Sequence, residues 1–347
     1  MFMDAPVHNA IAASATAADP AELAVELIDV HKTFRQRQRS ERMIDTLKGL
    51  IRPTIREVRA LQGVSLQIRR GEIVAYAGPN GAGKSTTVKL LSGLLAPDAG
   101  QVRALGMDPV RQREQYVRRI GVVFGQRTEL WNDHPVAASF EWKRVVWDIP
   151  RPRYEYMKEL VKEVLGLHEF FHSLTRELSL GQKMRAELGL ALLHEPEILF
   201  LDEPTIGLDV LAKRMILNFI KELKQQRQVT IMITSHDMAE LEQLAGRIIM
   251  IDHGNVAFDG SFLQLRRDVS DQRRLIIETA DETPPPLRGA TLLKSEAARH
   301  EYLFDATQMR IAELLEQASA ATTLSDVETH RAPIDEVIAD IYRSWRR

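Results

Sequence analysis

The sequence contains no cysteine. Disulfides and thiolate-ligated metal sites are therefore excluded, and the chain suits a reducing compartment. Charge of one sign is also lacking: 46 Lys and Arg against 48 Asp and Glu leave a formal net charge of −2. Without a basic field over the whole molecule, nucleic acid is not an expected partner. Long apolar runs are missing as well. The longest, around Ile198–Leu201 and Ile231–Ile233, are strand-length and fall far short of the ~18 apolar residues of a membrane span. The first 20 residues are Ala-rich, with neither a basic n-region nor a long apolar stretch, so 1–23 is expected to be a disordered tail and not a secretory signal.

What is present is enough apolar residue, 44% of 347, to bury a sizeable core in about two domains. Apolar runs at Val25–Val30, Val64–Ile68, Ile73–Ala77, Ile120–Phe124, Ile198–Leu201, Thr230–Thr234 and Ile248–Ile251 read as strands. Periodic stretches near Ser85–Leu95, Tyr154–Leu165, Lys183–Leu193, Leu211–Gln225 and Met238–Leu244 read as helices, several of them lying between those strands. Buried strands alternating with helices imply an α/β layer structure with a largely parallel sheet. After about residue 270 short strands at Arg274–Thr279, Ala290–Leu293 and Tyr302–Phe304 follow one another. A helix at Met309–Ala318, a strand near Leu324–Val327 and a helix at Ile334–Trp345 complete a small α+β appendage over 271–347.

The strand Ile73–Ala77 runs directly into Gly78-Pro79-Asn80-Gly81-Ala82-Gly83-Lys84-Ser85, which satisfies G-x-x-x-x-G-K-[ST] in the strand–loop–helix setting the pattern requires. Glycine is needed because the loop wraps close to phosphate oxygens and offers consecutive backbone N–H groups, while the following helix N-terminus adds a favourable dipole. Lys84 is expected to reach the β- and γ-phosphates and Ser85 to ligate Mg²⁺. A second strand, Ile198–Leu201, ends in Asp202 and Glu203, and in an open α/β sheet that carboxyl end faces the ligand crevice. Asp202 is expected to hold the metal, leaving Glu203 to act as general base on the attacking water.

In order, the chain carries Phe34, the Gly78–Ser85 loop, Gln126 after Ile120–Phe124, the pentapeptide Leu178-Ser179-Leu180-Gly181-Gln182, Leu199–Pro204, Gly207-Leu208-Asp209 and Thr234-Ser235-His236. This order and spacing over residues 24–265 resemble the nucleotide-binding subunit of ATP-binding cassette (ABC) transporters. The resemblance implies a P-loop NTPase (RecA-like) core over 24–270, with an antiparallel β subdomain and a helical signature subdomain at about 127–184. It implies that Phe34 stacks on adenine, that Gly78 through Ser85 and Thr86 bind ATP, and that Gln126 joins Ser85 and Asp202 on Mg²⁺. Lys84, Gln126, Glu203 and His236 are then the catalytic group, and Asp209 carries communication between two sites of a dimer. Leu178–Gln182 would face the ATP of the partner in an ATP-bound homodimer or a dimer with a paralogous ATPase. Integral-membrane permease subunits are the further partners implied, with the chain peripheral on the cytoplasmic face of the cell membrane. The pentapeptide departs from the commonest family form by Leu180 where glycine is frequent.

Residues 35–59 form an insertion with eight basic residues (Arg35, Arg37, Arg39, Arg42, Lys48, Arg52, Arg56, Arg59) against Glu41, Asp45 and Glu57, a local +5. Met43, Ile44, Leu47, Leu50 and Ile51 recur at helical spacing, so a basic amphipathic helix near the membrane partner is expected. With Val122–Gln126 and the Leu178–Gln182 signature, the chain resembles a bacterial branch of type-two ABC exporter ATPases. A drug-type or general exporter is favoured, with polysaccharide or lipid-linked glycan as the alternative cargo. A soluble ABC ATPase acting on ribosomes or DNA is the alternative outside transport, disfavoured by a single phosphate loop and a short helical insert. Trp131, Trp142 and Trp147 fall in the helical subdomain, as core or as a lining for a coupling helix from the membrane subunit.

Overall fold

The computed structural model describes residues 22–37, 55–125, 127–227, 229–269, 272–331 and 334–345. Of the expected tail over 1–23, residues 1–21 lie outside the described residues, as do the helical stretch of the insertion (Met43, Ile44, Leu47, Leu50, Ile51) and Gln126, whereas Leu23 is already strand, paired opposite Arg69. The chain falls into two compact units, Met1–His236 with Ile249–Asp259, and Asp237–Ile248 with Gly260–Arg347.

In chain order, β1 (Leu23–Arg37), β2 (Ile55–Arg69) and β3 (Ile73–Ala77) are followed by α1 (Lys84–Leu91), β4 (Ala99–Ala104), α2 (Arg113–Val117) and β5 (Ile120–Phe124). Three helices come next, α3 (Val136–Val146), α4 (Arg151–Val164) and α5 (Leu180–Leu192), then β6 (Ile198–Asp202), α6 (Val210–Arg227) and β7 (Thr230–Thr234). The chain continues through α7 (Met238–Leu244), β8 (Arg247–Asp252), β9 (Asn255–Gly260) and α8 (Phe262–Val269). The last six elements are β10 (Gln272–Thr279), β11 (Ala290–Glu296), β12 (Arg299–Asp305), α9 (Ile311–Ala321), β13 (Leu324–Arg331) and α10 (Ile334–Trp345).

Two sheets build the first unit. The larger has the strand order β5-β6-β7-β3-β8-β9, with β5–β6, β6–β7 and β3–β7 paired in parallel. Every residue of β3 and β7 is buried, as expected of parallel strands covered on both faces. The smaller sheet, β2-β1-β4, is antiparallel throughout. One core binds the two sheets: Val25, Leu27, Leu61, Val64 and Val102 pack in the same cluster as Val74, Tyr76, Val88, Leu91, Phe200 and Ile251. Phe34 is not beyond the first strand, as the short apolar run suggests, but within it. β1 continues to Arg37 because its outer half is held by pairing with β2, Phe34 opposite Val58 and Arg37 opposite Ile55. The ends of the basic insertion, residues 35–37 and 55–59, are therefore strand.

Behind β5 lies a half-buried polar group that marks a pH response. His194 Nε2 donates to the Ile120 carbonyl at 2.7 Å, and its ring is 5.9 Å from that of Trp147. Burial, aided by the Lys143 charge and opposed by the Ile120 bond, pulls the imidazole from its ordinary 6.5 down to about 4. The unfolded chain then binds this proton more tightly than the fold, so the contribution is present above about 6.5 and is lost as pH falls toward about 4. At ~1.4 kcal/mol per pKa unit it amounts to about 3 kcal/mol. We expect His194→Gln to flatten the thermal midpoint between pH 6.5 and 4.5, measured by differential scanning fluorimetry against the parent chain.

The second unit carries the antiparallel sheet β11-β12-β10-β13. Leu275 and Ile277 of β10 and Tyr302 and Phe304 of β12 alternate onto one face and cluster with Leu314 and Ala318 of α9. α10 buries Ile334, Val337, Ile338 and Ile341, an i, i+3, i+4, i+7 stripe, and packs on α7 and α8.

Candidate functional site

The β3–α1 turn is a phosphate-loop geometry in detail. Gly83, at φ 114°, caps α1, and the loop's tightness is backbone against backbone: a Cβ on Gly83 would lie 2.5 Å from the Ala60 carbonyl. Asn80, Gly81 and Ser85 are exposed along the loop, while Lys84 is buried. Its ammonium donates to the Gly78 carbonyl at 2.7 Å and the Pro79 carbonyl at 3.3 Å. Burial pulls Lys84 below its ordinary value, and the Glu203 and Asp202 carboxylates push back. Tyr76 of β3 and Thr87 of α1 share a buried hydroxyl pair at 3.0 Å, which fixes the helix start over the strand.

Across the crevice, Ser85, Asp202 and Glu203 line one cleft of about 250 Å³ with Lys89, Gly125 and Arg127. The sequence-chosen loop and carboxylates are thus brought together. A serine hydroxyl and an aspartate carboxylate are the hard oxygen donors that Mg²⁺ takes alongside phosphate oxygens, so the donor set fits that ion. Glu203 is a non-glycine residue at φ 57°, a strained conformation of the kind that persists where the surroundings over-determine it. Those surroundings are specific: the Glu203 N–H is held by the Thr234 hydroxyl at 3.0 Å, and Glu203 Oε1 lies 2.6 Å from His236 Nε2.

Thr234 is the residue that sequence reading left without a role. Fully buried at the end of β7, its hydroxyl donates to Asp202 Oδ1 at 2.8 Å while accepting from Glu203 N–H at 3.0 Å. One side chain therefore orients the Asp202 carboxylate and pins the backbone of Glu203 beside it. A threonine in an apolar strand reads as a β-former; the only signal in the chain is its place directly ahead of Ser235-His236. Losing a hydrogen bond to a charged group costs ~1.5–3 kcal/mol, so Thr234→Val should lower kcat about tenfold or more. ATP affinity by fluorescence titration should stay within about twofold; an unchanged kcat would show that the bond orients nothing of consequence.

Other expected residues stand apart from this cleft. Ser179 is the N-cap of α5 in a full capping box: its hydroxyl accepts from Gln182 N–H at 3.2 Å, and Gln182 Oε1 accepts from Ser179 N–H at 2.9 Å. Leu180 beside it is 46% exposed. Asp209 accepts from Ala212 N–H at 2.8 Å at the start of α6. Phe34 is half-buried on β1, with Lys32 Nζ 5.9 Å from its ring centre. None of Phe34, Ser179–Gln182 or Asp209 lines the Ser85–Glu203 cleft.

A phosphate loop opposed by a strand-end carboxylate pair, on a mainly parallel sheet, defines a P-loop nucleotide hydrolase. The ABC transporter family model matches residues 61–206. The ABC transporter ATP-binding protein NatA of Bacillus subtilis is 33% identical over 208 residues, 60% of this chain and 84% of NatA. A fluoroquinolones export ATP-binding protein of Mycobacterium tuberculosis is 36% identical over 219 residues, 63% of this chain and 70% of that protein. A methionine import ATP-binding protein of Carboxydothermus hydrogenoformans is 32% identical over 212 residues, 60% of this chain and 63% of its own length. Among solved structures, a dimeric ATP-binding cassette in a post-hydrolysis state with ADP and Pi superposes with a TM-score of 0.56 at 25% identity, over 68% of this chain and 98% of that one. The chain belongs to the ABC transporter family, as an ATP-binding, ATP-hydrolysing cassette subunit. No helix among the described residues is long and apolar enough to cross a membrane.

Proposed function

We propose that this chain is the motor subunit of an exporter, dimerising on ATP to drive separate transmembrane subunits from the cytoplasmic face of the membrane. The observation that carries the reading is the single cleft lined by Ser85, Asp202 and Glu203, with His236 bonded to Glu203 at 2.6 Å. Mg²⁺, held by Ser85, Asp202 and Gln126, would neutralise charge on the phosphates and draw them into line. The chain's own residues do the rest. The loop Gly78 to Thr86 cradles the phosphates with the backbone N–H groups of its residues other than Pro79, and Phe34 supplies a ring face for adenine. Glu203, the general base, accepts a proton from the attacking water at its carboxylate. His236 holds that carboxylate in place at Oε1. Leu178–Gln182 points the capped N-terminus of α5 at the nucleotide of a second copy, and Asp209 lies where the two copies exchange state.

For the membrane partner, Trp131 and Trp142, 38% and 39% exposed with rings 5.5 Å apart, offer an aromatic surface suited to a coupling helix. Direction is favoured as export because a relative 36% identical over 219 residues is a fluoroquinolones exporter, although an importer is nearly as similar. The test is to co-purify the chain with its membrane subunits and assay inside-out vesicles. We expect ATP-dependent accumulation of amphipathic drugs inside them. Uptake by right-side-out vesicles instead, or failure of the chain to join any membrane protein, would overturn the reading.

A further inference from the structure

The cleft described above has a wall whose support comes from outside it. The segment leaving β5 is anchored at two places. At its start, Gly125 N–H donates to the Asp202 carbonyl at 2.8 Å. Further on, Thr128 Oγ1, Glu129 N–H at 2.8 Å and Leu130 N–H at 3.3 Å all donate to one atom, Oε1 of Glu187. Glu187 lies on α5, eight residues past the Ser179 N-cap, and is 7% exposed. A carboxylate in the interior face of a helix is costly unless its bonds are made, and here they are made to a loop and not to the helix's own neighbours.

We propose that Glu187 is a positioning residue of the ATPase reaction, tying the signature helix α5 to the wall of the cleft that holds Asp202 and Glu203. Gly125 and Arg127 line that cleft, so displacement of α5 is carried through Glu187 to Thr128–Leu130 and from there to the residues beside the carboxylates. The contact of α5 with a second copy's nucleotide is in this way felt at the chain's own site. This rests on the reading of the site given above.

The environment of the joint is narrow. The Glu129 carboxylate acts on Glu187, and Lys143 of α3 is engaged by Glu129 at 2.7 Å and by the Trp147 ring at 3.9 Å. Burial, with Glu129 adding, pushes the Glu187 carboxyl up to about 7 against the three bonds that lower it.

The experiment is steady-state ATPase of the full chain bearing Glu187→Leu, Glu187→Gln, Thr128→Val and the Thr128→Val/Glu187→Leu pair. Glu187→Leu should cut kcat about tenfold with KM for ATP within about twofold. Glu187→Gln should recover most of it, because the amide oxygen accepts the same bonds. Thr128→Val should lose about threefold, and the double variant should be no slower than Glu187→Leu alone, since both remove one linkage. A Glu187→Leu kcat within twofold of the parent, or losses that multiply in the double variant, would overturn the proposal. If Glu187→Leu does not fold, Thr128→Val decides: an unchanged kcat overturns the joint. Glu203→Gln run alongside separates the two readings, because its full activity would sink the site assignment whatever Glu187 does.

Discussion

Glu203→Gln should leave ATP binding intact and reduce hydrolysis at least ~100-fold, the scale on which removal of a general base acts. The substitution changes one oxygen of a carboxylate to an amide without altering length, so the bond to His236 and the hold of Thr234 on the backbone N–H can both survive. What is lost is the ability to take a proton. Because binding outlasts hydrolysis, the variant should also accumulate as an ATP-stabilised dimer, seen as a doubling of mass by light scattering when ATP and Mg²⁺ are present. Retention of more than a tenth of the parental rate would remove Glu203 from the chemistry and leave its left-handed backbone, φ 57°, without a functional reason.

The second large effect is expected at Gly83. Its φ of 114° disfavours any L side chain, and its Cβ would meet the Ala60 carbonyl at 2.5 Å and Leu61 Cδ2 at 2.8 Å. Gly83→Ala must therefore push the loop away from the β2 backbone. Backbone strain of this kind costs ~1–3 kcal/mol, and a misplacement of ~1 Å in a positioned site costs about 100-fold. We expect ATP affinity to fall by at least that factor and the thermal midpoint to drop by ~2–8 °C. Gly81, at φ 83° but with nothing within 4 Å of its Cβ position, is the internal comparison. Gly81→Ala carries strain without the clash and should lose far less affinity. Equal losses at the two positions would mean that backbone conformation, and not close approach, sets the loop.

The loop and the carboxylate strand were legible because their signals are local. Ile73–Ala77 and Ile198–Leu201 are continuous apolar runs ending in chemistry, and the observed strands keep those bounds to within one residue. β4 and β9, AGQVRA and NVAFDG, were not expected, since neither is a continuous apolar run and glycine and charged residues interrupt both; pairing with β1 and the burial of Val102 and Ala104 hold β4 in place. The outer half of β1 escaped for the same reason: Lys32 to Arg37 has no alternating pattern of its own. Thr234 and Glu187 show a different limit. A threonine in a strand and a glutamate in a helix look ordinary, and nothing in one dimension tells that the first lies beside Asp202 or that the second receives three bonds from a loop some 57 to 59 residues away in sequence.

The paired ends of β1 and β2 set where the basic segment joins the fold. From Phe34 opposite Val58 to Arg37 opposite Ile55 there are three further residue pairs, and at ~3.3 Å per residue the last pair stands about 10 Å from the phenylalanine ring's strand position. Residues 38–54 begin and end on that last pair. Both junctions of that segment with the fold therefore lie on one two-stranded ribbon about 10 Å from Phe34, so the basic segment and the ring proposed to meet adenine share a single structural support.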